Sequence, residues 1–428
     1  MVASISAMLV LLTYGIAAAH ASLISSEPRA GAWVPTSPSR IRLVFSEPIE
    51  PSLATISLIS ANGTAVTVQA AGDPHDVHAI IGSPSTLPRG DYRVVWRVIS
   101  ADGHPVGGSF VFGVGSPTGT IAVPEVAPVP EAKVWGPAIF GAPIIPAILR
   151  GAGLGCLLAV TGLLWFSVSS KSRQNFDSVD RIALYLAIAA PVLLIAHLAA
   201  WLVNTAPDHR LDGTWISASF ATTPGRVELA RTVLSLIPLW AVGLARRPII
   251  GVAGGVLAAL ASAAVGHSAA IVPEWAIPFK AVHLLALAIW SGGLVWILAL
   301  RGSMEQGECE HEVSRVSSAA FWAVIAVAFS GIVQTRVVMS AWSDLASVYG
   351  AVVIAKAVGL VLLVGFGAYN RRLIARLASS PGAVGLLQKS VGREIVVFCV
   401  VILLGGFLGY LSPPMERHGA HSQASGSQ

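Results

Sequence analysis

Charge is what this 428-residue chain has least of: 11% of its residues are Asp, Glu, Lys or Arg, against 54% hydrophobic, with a mean hydropathy of +0.72. Soluble domains carry about 25% charged residues, so the composition excludes a water-soluble globule and points to a membrane protein in contact with the lipid bilayer. Cysteine is equally scarce, with three residues and none before position 156, which excludes a disulfide framework in the N-terminal part. Between Met8 and Met304 there is no methionine, so that part holds no thioether donors. A P-loop is also missing, and with it nucleotide-driven work. Basic residues are scarce at first and plentiful later: residues 20–135 carry 7 against 9 acidic ones, and residues 136–428 carry 20 against 13. A basic excess between apolar spans reads as an orientation signal, so no nucleic-acid partner is expected.

Residues 1–26 have no charge, and an apolar run ends in Ala17-Ala18-Ala19. This predicts a signal peptide, 1–19, whose removal makes His20 the mature N-terminus. Short β-branched and aromatic runs follow, at Ile41–Phe45, Thr55–Ser60, Ala65–Val68, Tyr92–Ile99 and Ser109–Val114, with a hairpin signal at Asn62-Gly63. They predict an all-β sandwich over 20–115, joined by a Pro-rich linker, 116–135, to an all-α membrane domain, 136–414, with a flexible external tail at 415–428. Uncharged stretches long enough to cross a bilayer are Gly151–Ser170, Ile182–Pro207, Pro248–Pro273, Ala281–Leu300, Val316–Thr335 and Ile395–Met415. Two shorter ones, Thr232–Ala245 and Ala357–Asn370, need their flanks, which brings Glu228, Arg231 and Lys356 into or beside spans and makes about eight helices. Lys171, Arg173, Arg181, Arg246, Arg247, Arg371 and Arg372 all fall in alternate loops. The positive-inside rule therefore puts the sandwich and the C-terminus outside the cytoplasmic membrane.

A free N-terminal histidine chelates a metal through its α-amine and imidazole. One more imidazole and a carboxylate complete a tetragonal N,N,N,O set suited to Cu(II). Asp102-Gly103-His104, on a tight turn after the Tyr92–Ile99 run, supplies both; a plain polar turn is the other reading of these three residues. His20-Ala21-Ser22-Leu23, Ser26-Glu27-Pro28, Leu43-Val44-Phe45-Ser46 and the stretch from Tyr92 through Asp102-Gly103-His104-Pro105 to Phe112 resemble the CopC family of exported copper-binding proteins. The resemblance implies a Greek-key sandwich with Cu(II) held by His20, Asp102 and His104. The methionine-rich Cu(I) site of some members is missing. His75 and His78 fall in a polar loop, Gly72–Val77, and at its exit. Gly266-His267-Ser268-Ala269, Lys280-Ala281-Val282-His283, Trp290-Ser291-Gly292-Gly293, Asn370 and Arg393-Glu394 resemble the CopD family of membrane partners, which implies copper passage across the membrane.

In the predicted topology His197, His267 and His283 lie in the outer parts of their spans, and polar groups in spans pair or line a wet cavity. They are candidates for one membrane acceptor site, with Glu228 and Met339 as lesser candidates. Cys309 and His311 fall in an acidic loop between the fifth and sixth helices, which reads as a solvated loop; the alternative is a thiolate and imidazole that receive Cu(I) inside. Cys156 and Cys399 read as small apolar residues. The expected function is copper capture outside and passage to or across the membrane for import, homeostasis or resistance, with other exported copper carriers as possible partners and no catalytic residues. The alternatives are a haem-binding electron carrier using the three membrane histidines, or a copper oxidative enzyme with an N-terminal histidine site; Asp102 weighs against the second, because a carboxylate ligand fills the position oxygen needs.

Overall fold

The computed structural model describes residues 22–116, 136–170, 177–300, 306–339, 341–376 and 383–411. The signal segment 1–19, His20, nearly all of the linker and the 415–428 tail lie outside them.

Nine strands build the N-terminal sandwich: β1 (Leu23–Glu27), β2 (Trp33–Val34), β3 (Ile41–Phe45), β4 (Thr55–Ser60), β5 (Ala65–Val68), β6 (Ala70–Asp73), β7 (Asp76–Gly82), β8 (Gly90–Ile99) and β9 (Pro105–Val114). One sheet runs β1-β3-β7-β6 and the other β2-β9-β8-β4-β5. Side chains alternate across a strand, so Ile41, Leu43 and Phe45 of β3 and Tyr92, Val94, Trp96 and Val98 of β8 turn inward into one core. Phe45 meets Trp96 edge-on, with ring centroids 5.0 Å apart. Asn62-Gly63 turns β4 into β5 as expected, with Gly63 at φ 82°. The polar loop expected around His75 and His78 is instead the β6–β7 hairpin, and His78 lies within β7. Its polar residues face outward, where Arg42 of β3 bonds Asp73 and Asp76, each at 2.7 Å. A strand that shows water one polar face gives little hydrophobic signal.

A two-stranded ribbon, β10 (Ala138–Ile139) and β11 (Ala142–Pro143), leads into the membrane domain. Its helices are α1 (Ile144–Ser169), α2 (Asp177–Thr205), α3 (Gly213–Ala221), α4 (Thr223–Ala245), α5 (Pro248–Ala263), α6 (His267–Ile271), α7 (Pro273–Ala299), α8 (Gln306–Val338), α9 (Val348–Ile374) and α10 (Ala383–Leu408). Among the described residues seven are long and apolar enough to cross a membrane, and α5, with 16 residues, is a shorter apolar helix. The eighth span, expected over Pro248–Pro273, is broken. Helix α5 ends at Ala263, Gly266 takes φ 126°, and α6 forms a separate turn before Pro273 opens α7. The acidic loop expected around Cys309 and His311 is likewise the start of α8, where Gln and Glu are good helix formers; His311 is exposed there. Small residues set a tight crossing between α1 and α7. A Cβ on Gly292 of α7 would stand 2.2 Å from the carbonyl carbon of Gly162 on α1.

Candidate metal centre at the domain junction

Strands β8 and β9 pair down to Ile99 and Pro105, which leaves Ser100–His104 as the turn that carries the Asp-Gly-His motif. Within it, Asp102 Oδ1 accepts from the Ser100 hydroxyl and from the His104 backbone N–H at 3.2 Å. These bonds fix the carboxylate and direct its other oxygen at the membrane domain, where Oδ2 lies 2.7 Å from Nδ1 of His267. Nε2 of His104 lies 2.6 Å from the Gly409 carbonyl oxygen. A carbonyl only accepts, so Nε2 carries the proton and the lone pair sits on Nδ1. The rings of His104 and His267 stack with centroids 5.7 Å apart and planes 25° from parallel.

Donor atoms of Asp102, His104 and His267 thus all lie within 4.8 Å of one another, and all three side chains are buried. His267 is the revealing member. It is 6% exposed, neither ring nitrogen makes a hydrogen bond among the described residues, and its Nδ1 stands 2.7 Å from the Asp102 carboxylate. Buried imidazoles ordinarily bond something, and neutral imidazole is the commonest metal ligand. Burial alone would raise the Asp102 carboxyl, but His104, His267 and the Ser100 hydroxyl outweigh it and hold the group below the usual carboxylate range. Burial pushes the His104 imidazole down, against the pull of Asp102. Both groups are therefore in their ligand forms near neutral pH.

Docking of the sandwich on the bundle brings these residues together. Trp201 Nε1 of α2 donates to the Gly103 carbonyl at 3.1 Å, Arg97 of β8 donates to the Thr205 carbonyl at 2.6 Å, and the Thr223 N–H at the start of α4 donates to Glu50 at 3.0 Å. Gly103 has φ 95°, and a Cβ there would meet Pro224 at 3.1 Å and Trp201 Nε1 at 3.3 Å. The bend at Gly266 ends α5 early enough to place His267 at the head of α6, under the turn.

Beyond this trio the predicted acceptor residues part company. His197 sits one aromatic layer away, with Tyr410 edge-on to both His104 and His197 at 5.1 and 6.2 Å. Both its nitrogens are engaged: Nε2 is 2.7 Å from the Tyr410 hydroxyl, and Nδ1 is 3.0 Å from Glu228 and 3.0 Å from Arg231, which form a buried ion pair. His283 stands apart on α7, its Nδ1 3.0 Å from the Ser330 hydroxyl of α8. Met339 is buried in an apolar cluster with Tyr349 and Tyr410; Tyr349 lies edge-on to His267 at 6.0 Å. Sequence reading missed Gly409 and Tyr410, which fell within the expected span Ile395–Met415 but lie just past the end of α10 at Leu408, and carry no ligand signature. It also missed Glu47, buried one residue before Pro48, whose carbonyl accepts from Ala101 of the turn at 2.9 Å. A carboxylate two residues after the β3 run was the available signal.

Residues 23–115 match the family model of the CopC domain, and residues 310–408 match that of Copper resistance protein D. The Copper transport protein CutJ of Bacillus subtilis is 25% identical over 425 residues, covering 92% of this chain and 75% of the relative. Copper resistance protein C of Pseudomonas syringae is 33% identical over 113 residues, which span 24% of this chain and 87% of that protein. The crystal structure of CopC from Methylosinus trichosporium aligns over its whole length with 24% of this chain, at 31% identity and a TM-score of 0.22. The chain therefore belongs to the CopC family through its sandwich, and it continues in the same polypeptide as a multi-pass membrane protein whose residues 310–408 match the model of Copper resistance protein D.

Proposed function

We propose that this protein captures Cu(II) on the outer face of the cytoplasmic membrane and passes copper into the bilayer through the junction of its two domains. The observation that carries this reading is His267, a buried membrane-domain imidazole with no hydrogen-bond partner among the described residues, held against Asp102 and His104 of the sandwich. Two imidazoles and a carboxylate are borderline-hard donors that suit Cu(II). The α-amine and imidazole of His20, freed by cleavage after Ala19, complete the set. With His267 in place the captured ion already touches the membrane domain, so capture and delivery share one site. His197 then acts less as a ligand than as a support, because its nitrogens are bound to Tyr410 and to the Glu228–Arg231 pair. His283, against Ser330 of α8, is a second station apart from the junction. The relatives are named for copper transport and resistance rather than for catalysis, and no reacting group is assigned.

Cellular copper content under limiting copper tests the proposal. His267→Ala should lower copper-dependent accumulation to the level of cells without the protein, at equal membrane expression. Wild-type accumulation in that variant would sink the shared-site reading.

A further inference from the structure

The half of the bundle far from the sandwich holds a second buried polar group. Glu394 of α10 is 2% exposed. Its Oε1 accepts from Trp290 Nε1 of α7 at 3.2 Å, and its Oε2 accepts from Asn370 Nδ2 of α9 at 2.7 Å. No Lys, Arg or His pairs with it among the described residues. Asn370 Oδ1 and Ser390 Oγ, one turn before Glu394, are buried without hydrogen-bond partners among the described residues. The surrounding elements offer no compensating charge. On α9 and α10, Arg371, Arg372, Lys389 and Arg393 are exposed; Lys356 sits far up α9; Lys280 and His283 lie in the first half of α7; Arg150 is the one basic residue of α1, near its start; and on α8 Arg315 is paired with Glu312.

We infer that Glu394, Asn370 and Ser390 form a proton-binding site through which copper passage is coupled to proton movement. An unpaired buried carboxylate is costly in a membrane, and an ionisable group kept there has a function by default. Uptake of one proton makes the O–H bond at Oε2 and removes the charge. The Asn370 amide then turns over, and the Nδ2–H···Oε2 bond gives way to Oε2–H···Oδ1. The same side chain thereby meets the carboxyl in both protonation states, Oδ1 gaining a donor as Nδ2 gives up its acceptor. Because the partners come from α7, α9 and α10, the exchange acts where three helices meet. Trp290 is a positioning residue, tying the carboxyl to the helix that carries His283.

The inference rests on the proposed copper passage, so two readouts separate them. Full-length protein in liposomes, with copper influx followed across an imposed pH gradient, should respond to that gradient several-fold; Glu394→Gln should lose the response while keeping Cu(II) binding at the junction. An unchanged gradient response in Glu394→Gln, or a sodium gradient acting in place of the proton gradient, overturns the coupling. Independently of transport, infrared titration of the full chain in lipid should show a protonated-carboxyl band that is absent in Glu394→Gln and shifted in the milder Trp290→Phe. Loss of no band in Glu394→Gln overturns the site even if copper moves. If wild-type liposomes move no copper yet the band is present, the proton site stands and the transport reading falls.

Discussion

Alanine at Gly103 would test how closely the sandwich and the bundle are fitted. At φ 95° an L-residue costs about 1–2 kcal/mol of backbone strain. The new Cβ would also press on Pro224 at 3.1 Å and on Trp201 Nε1 at 3.3 Å, both anchored in helices. Moving the indole loses its bond to the Gly103 carbonyl, about 1 kcal/mol. The total, about 2–3 kcal/mol, lowers the docking equilibrium constant roughly 30- to 150-fold. Hydrogen exchange on the full chain in lipid nanodiscs reads this directly, as lost protection in segments 97–106 and 199–206. Gly63→Ala is the control, because Gly63 also has a positive φ, 82°, but a Cβ there meets nothing within 4 Å. Wild-type protection at the junction in Gly103→Ala, or an equal loss in Gly63→Ala, would refute the reasoning.

Three further outcomes are expected. Gly292→Val should lower thermal stability in detergent by about 1–3 kcal/mol or more, since its Cβ overlaps Gly162, whereas Gly365→Val, with open space around it, should change stability little. Glu228→Gln strips the buried Arg231 of its counter-charge and should cost about 3–5 kcal/mol in the same assay; adding Arg231→Leu should recover part of the loss. Burial holds His104 below the ordinary imidazole range, so the undocked state binds the extra proton. Docking of the metal-free protein should therefore weaken as pH falls below about 6.5, by up to about 1.4 kcal/mol per pH unit, and junction exchange rates measured against pH check the sign.

The sequence made the sandwich legible because its core strands are β-branched and aromatic runs, alternating over Ile41–Phe45 and Tyr92–Val98, and Asn62-Gly63 marks a hairpin. The β6–β7 hairpin escaped because Arg42, Asp73 and Asp76 keep its outer face polar. Spans were legible from uncharged runs, but a count of uncharged residues is blind to Gly266, whose backbone splits one apparent span into α5 and α6. That break matters most, because it carries His267 out of the helix stack and under Asp102. The motif Asp102-Gly103-His104 and the histidines 197, 267 and 283 were all visible as residue types. Which of them meet was not, since pairing across domains depends on docking contacts such as Trp201–Gly103 and His104–Gly409 that join positions about one hundred and three hundred residues apart.

Nitrogen hyperfine couplings of Cu(II) bound to the full-length chain, compared between wild type and His267→Ala, address the shared site most directly. The shared site predicts one fewer coordinated imidazole in the variant, with the remaining couplings retained. An identical imidazole count in the two proteins would contradict it and confine the copper ligands to the sandwich.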